Sequence, residues 1–317
     1  MRILIGYDGS ACADAAVDDL KRSGLPDGSE ARAVCVAHIW TEPPGGYAGG
    51  DYEELYPLHP DYLRRLPAEA MEEAKALAET AAGKISRRFP TWKTEGLAVA
   101  DSPQGSLVGT ADQWPADLIV VGSHGRSALG RLVMGSVSQN VVTHARCSVR
   151  VGRASRGVQG GDSVAPPDPP VAPVRLVIGV DGSPDAARAV GAVAARVWPR
   201  ESKALVVSVL DGYLSTLVAS PLAVSGGWSE FPRGHGPPTA RMAAERAADR
   251  LREVGLAAEA VVREGDPKRV LLDEATNFGA DCIVVGAKGH GRLERLLLGS
   301  VSAAIAARAH CSVEVVR

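Results

Sequence analysis

The chain repeats itself, and this repeat constrains its fold more than any other feature. The segment Ile3–Ser10 returns as Leu176–Ser183, an offset of 173 residues. Near the end of each half, the pair Gly135-Ser136 returns as Gly299-Ser300, an offset of 164 residues. Repeats that build solenoids have periods of about 20 to 50 residues. A repeat this long therefore indicates a duplicated domain.

A segment poor in core-forming residues separates the two copies. Gly152–Pro173 holds four glycines and five prolines among 22 residues, a composition typical of a linker. We therefore predict a first domain over residues 1–152, a linker over 153–173 and a second domain over 174–317.

Strands alternate with helices within each copy. The runs Leu118–Val121 and Ile283–Val285 are short, β-branched and continuously apolar, as strands covered on both faces are. In the first copy the pattern predicts strands at 2–7, 31–39, 94–100, 117–121 and 147–151, and helices at 11–22, 67–89, 104–114 and 136–145. This alternation predicts an α/β fold, with two doubly wound, five-stranded parallel-sheet domains in tandem.

A glycine-rich loop follows the fourth strand of each copy. Gly122 and Gly125 are followed, after nine residues, by Gly135-Ser136, and the second copy keeps the same spacing. Glycines let a ligand approach the backbone, and a helix N-terminus offers unpaired N–H groups to an anion such as phosphate. Ser136 and Ser300 either cap their helices or donate to that phosphate. Neither the Walker A nor the dinucleotide-binding pattern is present in these loops.

Charge and composition exclude several classes of function. The net charge of −2 is too balanced for a protein that holds nucleic acid mainly by phosphate neutralisation. The sequence has no run of 18 apolar residues, so it predicts no membrane span. Asp8 comes too early for the apolar core of a signal peptide. Five scattered cysteines without a CxxC pair indicate neither a disulfide framework nor a zinc site. We expect a cytoplasmic protein with no bound structural metal.

The motifs resemble those of the universal stress protein family, in its ATP-binding branch and tandem form. The signature Gly, two residues, Gly, nine residues, Gly and Ser occurs twice, and so does an Asp-Gly-Ser turn after the first strand. The resemblance implies a Rossmann-like fold of the adenine nucleotide alpha hydrolase type. It also implies ATP as the ligand, with magnesium left open. The second copy departs at Lys288-Gly289-His290, where the first has His124-Gly125-Arg126.

The resemblance also implies a set of contact residues. Asp8 and Asp181 would lie near the ribose or a phosphate-bound metal. Ile39 and Val209 would flank adenine, and Val121 and Val285 would lie beside the adenosine. The phosphate cradles are Gly122, Gly125, Gly135, Ser136 and Val137, and Gly286, Gly289, Gly299, Ser300 and Val301. Arg126 could also reach a phosphate.

Three functions compete at this point. The first is a non-catalytic or very slowly hydrolysing ATP-binding stress protein, whose nucleotide state alters its shape or its partners. The second is an ATPase or a phosphoryl or nucleotidyl transferase that uses Asp8 or Asp181 with magnesium. The third is a dimerisation scaffold without a ligand. The absence of a recurring base near the motifs favours the first, so we predict that the protein is not an enzyme.

The last strand of each copy predicts how the copies assemble. Edge strands seek partners, so we expect the strands at 147–151 and 311–316 to join the two domains as an internal pseudo-dimer. Further pairing of two chains into a homodimer stays open. The stretches 41–66 and 211–238 are either lids over a nucleotide or plain surface loops.

Overall fold

The structure is a computed structural model of the 317-residue chain. It describes residues 1–37, 60–125, 134–154, 172–210, 237–289 and 298–317.

Each half of the chain contributes five strands to the sheet. The first half has β1 (Arg2–Gly6), α1 (Ala11–Asp19), β2 (Glu30–Ala37), α2 (Pro60–Arg88), β3 (Lys93–Ala100), α3 (Pro103–Gln113), β4 (Leu118–Gly122), α4 (Ser136–His144) and β5 (Ser148–Gly152). The second has β6 (Arg175–Gly179), α5 (Pro184–Ala194), β7 (Lys203–Leu210), α6 (Pro237–Glu253), β8 (Ala257–Glu264), α7 (Pro267–Phe278), β9 (Cys282–Gly286), α8 (Ser300–Arg308) and β10 (Ser312–Val316). The α/β fold with tandem parallel-sheet halves is confirmed.

The ten strands of the described residues lie in one sheet, in the order β3-β2-β1-β4-β5-β10-β9-β6-β7-β8. Strands within each half are parallel, and β5 pairs with β10 antiparallel, with Arg150 opposite Glu314. The expected pairing of the two terminal strands is therefore present. The order of the second half mirrors that of the first about this pair, which we call the seam. Each half keeps the carboxyl ends of its strands at one edge, where ligands of such sheets bind.

Three hydrophobic clusters cover the sheet. One cluster spans both halves on one face and includes Val149, Val151, Val313 and Val315 of the seam. The opposite face carries two separate clusters, one under α1 and α2 and the other under α5 and α6. Because strand side chains alternate between faces, Arg150 and Glu314 lie on the face of the separate clusters.

The sequence dictates where several helices begin. Ser10 accepts a hydrogen bond from the backbone N–H of Ala13 at 3.1 Å, and Ser183 from that of Ala186 at 3.2 Å, so both cap their helices. Pro184 and Pro267 occupy the first helical turn, where the missing N–H costs nothing.

The observed helices differ from prediction mainly at α2. It begins at Pro60 and contains Pro67, whereas the sequence predicts a start at 67. Pro67 resembles a helix start because prolines favour the first turn. The two stretches expected to be either lids or surface loops therefore shorten, and their remaining parts, 41–59 and 211–236, lie outside the described residues. None of the helices among the described residues is long and apolar enough to cross a lipid bilayer.

Candidate functional site

An Asp-Gly-Ser turn closes the end of the first strand in each half. Asp8 Oδ1 accepts a hydrogen bond from the backbone N–H of Ser10 at 3.0 Å, and Gly9 adopts a φ of 77°. The second half repeats this turn, with Asp181 Oδ1 accepting from Ser183 at 2.9 Å. Only glycine adopts such a positive φ without strain. The turn therefore fixes each aspartate at the carboxyl edge of the sheet.

The glycine-rich loop lies directly against this aspartate. A Cβ atom on Gly125 would stand 2.9 Å from Asp8 Oδ2, and one on Gly289 would stand 2.5 Å from Asp181 Oδ2. The missing side chain thus lets the carboxylate approach the loop backbone. Two motifs that are more than 100 residues apart in sequence are brought together in both halves.

The glycine at the end of the fourth strand lacks a side chain for a different reason. A Cβ on Gly122 would stand 2.8 Å from the carbonyl carbon of Cys12, and one on Gly286 would stand 2.5 Å from that of Asp185. Real Cβ atoms do not come so close to backbone, so these glycines allow α1 and α5 to pack against the sheet. Helix packing alone accounts for their lack of a side chain.

The glycines that precede α4 and α8, Gly135 and Gly299, are not explained in this way. Gly135 has φ −63° and ψ 152°, which any residue adopts, and Gly299 has φ −73° and ψ 150°. A Cβ on Gly135 would find its nearest neighbour, the Cα of His124, at 3.5 Å, an ordinary contact. At Gly299 the space is tighter, with the carbonyl oxygen of Ala287 at 3.2 Å. None of the described residues therefore prevents a Cβ at position 135.

The helices α4 and α8 begin without a side-chain cap among the described residues. The first intrahelical bonds are made by Gln139 to the carbonyl of Gly135 at 2.9 Å and by Ala303 to that of Gly299 at 3.0 Å. The three preceding N–H groups of each helix have no acceptor in the helix itself. They carry the positive end of the helix dipole, which attracts anions.

Two serines behave differently in each of these helices. Ser136 and Ser300 were predicted either to cap their helices or to donate to phosphate. The cap prediction is wrong, because Gly135 and Gly299 hold the cap positions and the serines lie at the first helical position, where Ser136 is half-buried and Ser300 is exposed. Ser138 and Ser302 are buried, and each hydroxyl donates at 2.6 Å to the carbonyl of the glycine that ends the fourth strand. Sequence reasoning missed this contact, although Gly-Ser-Val-Ser occurs in both copies. The bond ties the helix start to the sheet edge.

The remaining predicted residues fall into three groups. Val121 and Val285 are only 3% and 4% exposed and belong to the shared core, so they offer little surface to a ligand. Half-buried positions at the same edge are held by Val137, Val209 and Val301. Ile39 and Arg126 lie outside the described residues.

The two sites differ in the residues between their loop glycines. His124 Nδ1 lies 3.0 Å from Ser123 Oγ, so this imidazole is held against its own loop. Lys288 is exposed, and its backbone N–H donates to Asp185 Oδ2 at 2.9 Å. The second site therefore presents a cation at this position.

A hydrogen-bonded triad lies next to the first site. The Tyr7 hydroxyl donates to Asp14 Oδ1 at 2.6 Å, and Lys84 Nζ donates to both partners at 2.8 and 2.6 Å. Burial and the bond to Asp14 raise the pKa of Tyr7. Burial opposes the charge of Lys84, but its bonds with Asp14 and Tyr7 outweigh this and raise its pKa. Both groups keep their protons at neutral pH, so neither is a general base.

The described part of the chain offers no ready-made metal centre. Within the described ranges, no three His, Cys, Asp or Glu side chains gather where they could hold a metal ion.

The fold and the duplicated glycine-rich loops define a tandem α/β protein with two equivalent halves. The family model of the universal stress proteins matches residues 1–153 and 174–317, and the chain belongs to this family. Universal stress protein Rv2005c of Mycobacterium tuberculosis is 30% identical over 336 residues, covering 99% of this chain and 96% of that protein. A homologue from Mycolicibacterium smegmatis is 28% identical over the same shares of the two chains.

A solved structure agrees with this fold. The crystal structure of a universal stress protein from Archaeoglobus fulgidus covers 100% of this chain and 98% of that one, with a TM-score of 0.63 and 17% identity. A universal stress protein in complex with cAMP covers 46% of this chain and 98% of that one, with a TM-score of 0.32 and 24% identity.

Proposed function

We propose that the protein is a cytoplasmic stress-response protein that binds one adenine nucleotide, ATP, in each half. The first site is assigned to a domain of residues 1–152 and the second to a domain of residues 174–317. Each nucleotide lies at the carboxyl edge of its parallel strands, with its phosphates between the glycine-rich loop and the following helix. Binding of the nucleotide, rather than its turnover, changes the shape or the partners of the protein.

The space above Gly135 carries this proposal. Neither its backbone conformation nor packing against the described residues requires a glycine at position 135, yet both copies have one at the start of an uncapped helix. A phosphate that lies close to the backbone accounts for both features, because a side chain would occupy its place and a cap would compete for the N–H groups. Gly299 is the equivalent residue, although its fold tolerates a side chain less well.

The other contacts follow from the same placement. Asp8 and Asp181 stand beside the loops, where a carboxylate can accept from a ribose hydroxyl or hold a magnesium ion on the phosphates. Val209, half-buried at the end of β7, is the adenine contact of the second site, and Ile39 is proposed for the first. Val121 and Val285 support these surfaces from the core.

The chemistry of the described site favours binding without turnover. Hydrolysis needs a group that orients and deprotonates water, in addition to phosphate contacts. In the described triad next to Asp8, Tyr7 and Lys84 hold their protons, and the Asp14 carboxylate is paired with both of them. The second half has Val180 in place of Tyr7, so it lacks even this neighbour.

Titration calorimetry of ATP against single-site variants tests the proposal. Gly135→Val fits the backbone, and its Cβ meets only ordinary contacts with the described residues, so the variant should fold and lose the first site. The wild type should bind two equivalents, Gly135→Val and Gly299→Val one each, and the double variant none. Gly109→Val is the matched control, because its Cβ points into open space and ATP binding should not change.

Thermal unfolding separates loss of the site from loss of the fold. Gly135→Val should melt near the wild type, whereas Gly299→Val should melt somewhat lower because Ala287 must shift. If a folded double variant binds ATP like the wild type, the glycines only shape the chain and the assignment is wrong.

A further inference from the structure

A buried ion network lies at the centre of the seam. Arg150 donates from Nε to Asp19 Oδ2 at 2.7 Å and from Nη1 to Glu314 Oε2 at 3.1 Å. Arg196 donates from Nη1 to Glu314 Oε2 at 3.0 Å and from Nη2 to Oε1. The four side chains are between 1% and 7% exposed. They form a row of alternating sign, which we call the seam quartet.

The register makes the centre of this row a point of symmetry. The offset of 164 makes position 314 the counterpart of position 150, and the two are opposite each other across the seam. A pair of identical edges would therefore place a residue against itself at this point, as in any two-fold interface. This chain instead has arginine in one copy and glutamate in the other.

Two equivalent contacts flank the quartet, one made by each half of the chain to the other half. Arg153 Nη2 donates to the carbonyl of Ala306 at 2.6 Å, and Arg317 Nη2 donates to that of Val142 at 2.6 Å. Each arginine follows its own strand and reaches the C-terminal end of a helix in the other half, where a cation is favoured. We call these two contacts the clasps. Because they are equivalent, they hold any two edges together and do not distinguish one edge from the other.

The quartet, in contrast, distinguishes the β5 edge from the β10 edge. With the edges paired as observed, the row reads Asp19, Arg150, Glu314, Arg196, and all three neighbouring contacts are attractive. Two first-half edges would put Arg150 against Arg150, and two second-half edges Glu314 against Glu314. The total charge would still be zero, but the central contact would be repulsive in a buried place. Like charges at an interface suppress wrong partners in this way.

We propose that the seam quartet selects the partner of each edge, so that the β5 edge accepts only a β10-type edge. That edge comes from the same chain in the wild type, where the connection makes its local concentration high. Pairing of two chains through like edges is excluded. The proposal does not depend on nucleotide binding at either site.

A complementation experiment with full-length chains isolates the central contact. Arg150→Glu places a glutamate against Glu314, and Glu314→Arg places an arginine against Arg150. In a mixture, the first half of one chain can pair with the second half of the other, which turns both central repulsions into attractions. The contacts of each half with its own Asp19 or Arg196 are the same before and after this exchange. The exchange therefore changes only which residues at positions 150 and 314 face each other across the seam.

The two clasps supply the matched control. Arg153→Ala and Arg317→Ala each remove one clasp, and exchange between these chains only redistributes the losses. Each pair is co-expressed with one chain tagged, and the untagged chain captured on the tag is measured. We expect the charge-variant pair to give about tenfold or more capture than the wild-type pair and the clasp pair. Its complex should have twice the chain mass of 33.0 kDa.

The outcomes separate selection from a merely structural role. If the charge variants are insoluble alone but soluble and complexed together, the proposal holds. If the two together stay insoluble, or show no more capture than the clasp pair, the quartet only stabilises the seam and the proposal is overturned. A Glu314→Arg chain that, on its own, is as stable as the wild type would overturn it as well.

Discussion

Replacement of Glu314 by glutamine removes the charge that holds two arginines together. Glu314 is fully buried and accepts hydrogen bonds from Arg150 and Arg196. Glu314→Gln keeps the shape and one acceptor oxygen but turns an NH₂ group toward the guanidinium groups. Asp19 would then be the one carboxylate left in the quartet for two buried cations.

The structure sets the size of the effect. Removal of one partner from a buried ion pair costs about 3–5 kcal/mol, because the charge left behind is desolvated and unpaired. For a domain of this size each kcal/mol lowers the melting temperature by about 2–4 °C, so a decrease of about 6–20 °C is expected. The matched control is Glu72→Gln, since Glu72 pairs with Lys75 on an exposed face and its loss should leave the melting temperature unchanged.

The pH dependence gives this prediction a sign. Burial alone would raise the pKa of Glu314, but Arg196 and Arg150 outweigh it and hold the pKa below its ordinary value. A lowered pKa means that the carboxylate stabilises the fold above the unfolded value, about 4.3, and that this contribution is lost as pH falls through the folded pKa. The wild type and Glu314→Gln should therefore differ most at neutral pH and converge in acid.

Urea unfolding at a series of pH values, followed by circular dichroism, measures both effects. A difference in unfolding free energy below about 1 kcal/mol at neutral pH would refute the reasoning, because that is the range of exposed pairs. So would a difference that grows as the pH falls.

Other parts of the structure make further predictions. Gly286→Ala should destabilise the protein by about 1–3 kcal/mol in urea unfolding, since its Cβ would stand 2.5 Å from backbone, whereas Gly135→Ala should be near neutral. Burial raises the pKa of Cys282 and Cys311 to about 12, so a thiol reagent at mildly alkaline pH should label them only after denaturation. Radiolabelled ATP with magnesium should stay mostly intact for many minutes, and turnover of about 1 per second or faster would contradict the binding role.

Much of the fold could be predicted from the sequence because its signals are local or repeated. The apolar run Leu118–Val121 predicts a buried strand, and Ser10 and Ser183 stand where helix caps belong. The duplicated ends of the two copies predicted the seam. Pro67 misplaced the start of α2, because a proline inside a helix looks like a helix start.

The roles of single side chains could not be predicted in the same way. Arg150 and Glu314 are charged residues in terminal strands, where charge usually indicates exposure, and only the register shows them facing each other in the core. Gly122 and Gly135 both fit the glycine signature of the family. A Cβ at position 122 would clash with the backbone of Cys12, whereas one at position 135 would meet only ordinary contacts with the described residues. Such distinctions depend on neighbours that are distant in sequence.

Equilibrium dialysis of the wild type against labelled ATP tests the central claim most directly. Two duplicated loops, each with an uncapped helix and an adjacent aspartate, predict two equivalents of ATP per chain at saturation. The second site can differ in affinity, because Lys288 stands where the first has His124. A chain that is folded by circular dichroism and binds no ATP at any tested concentration would contradict the account.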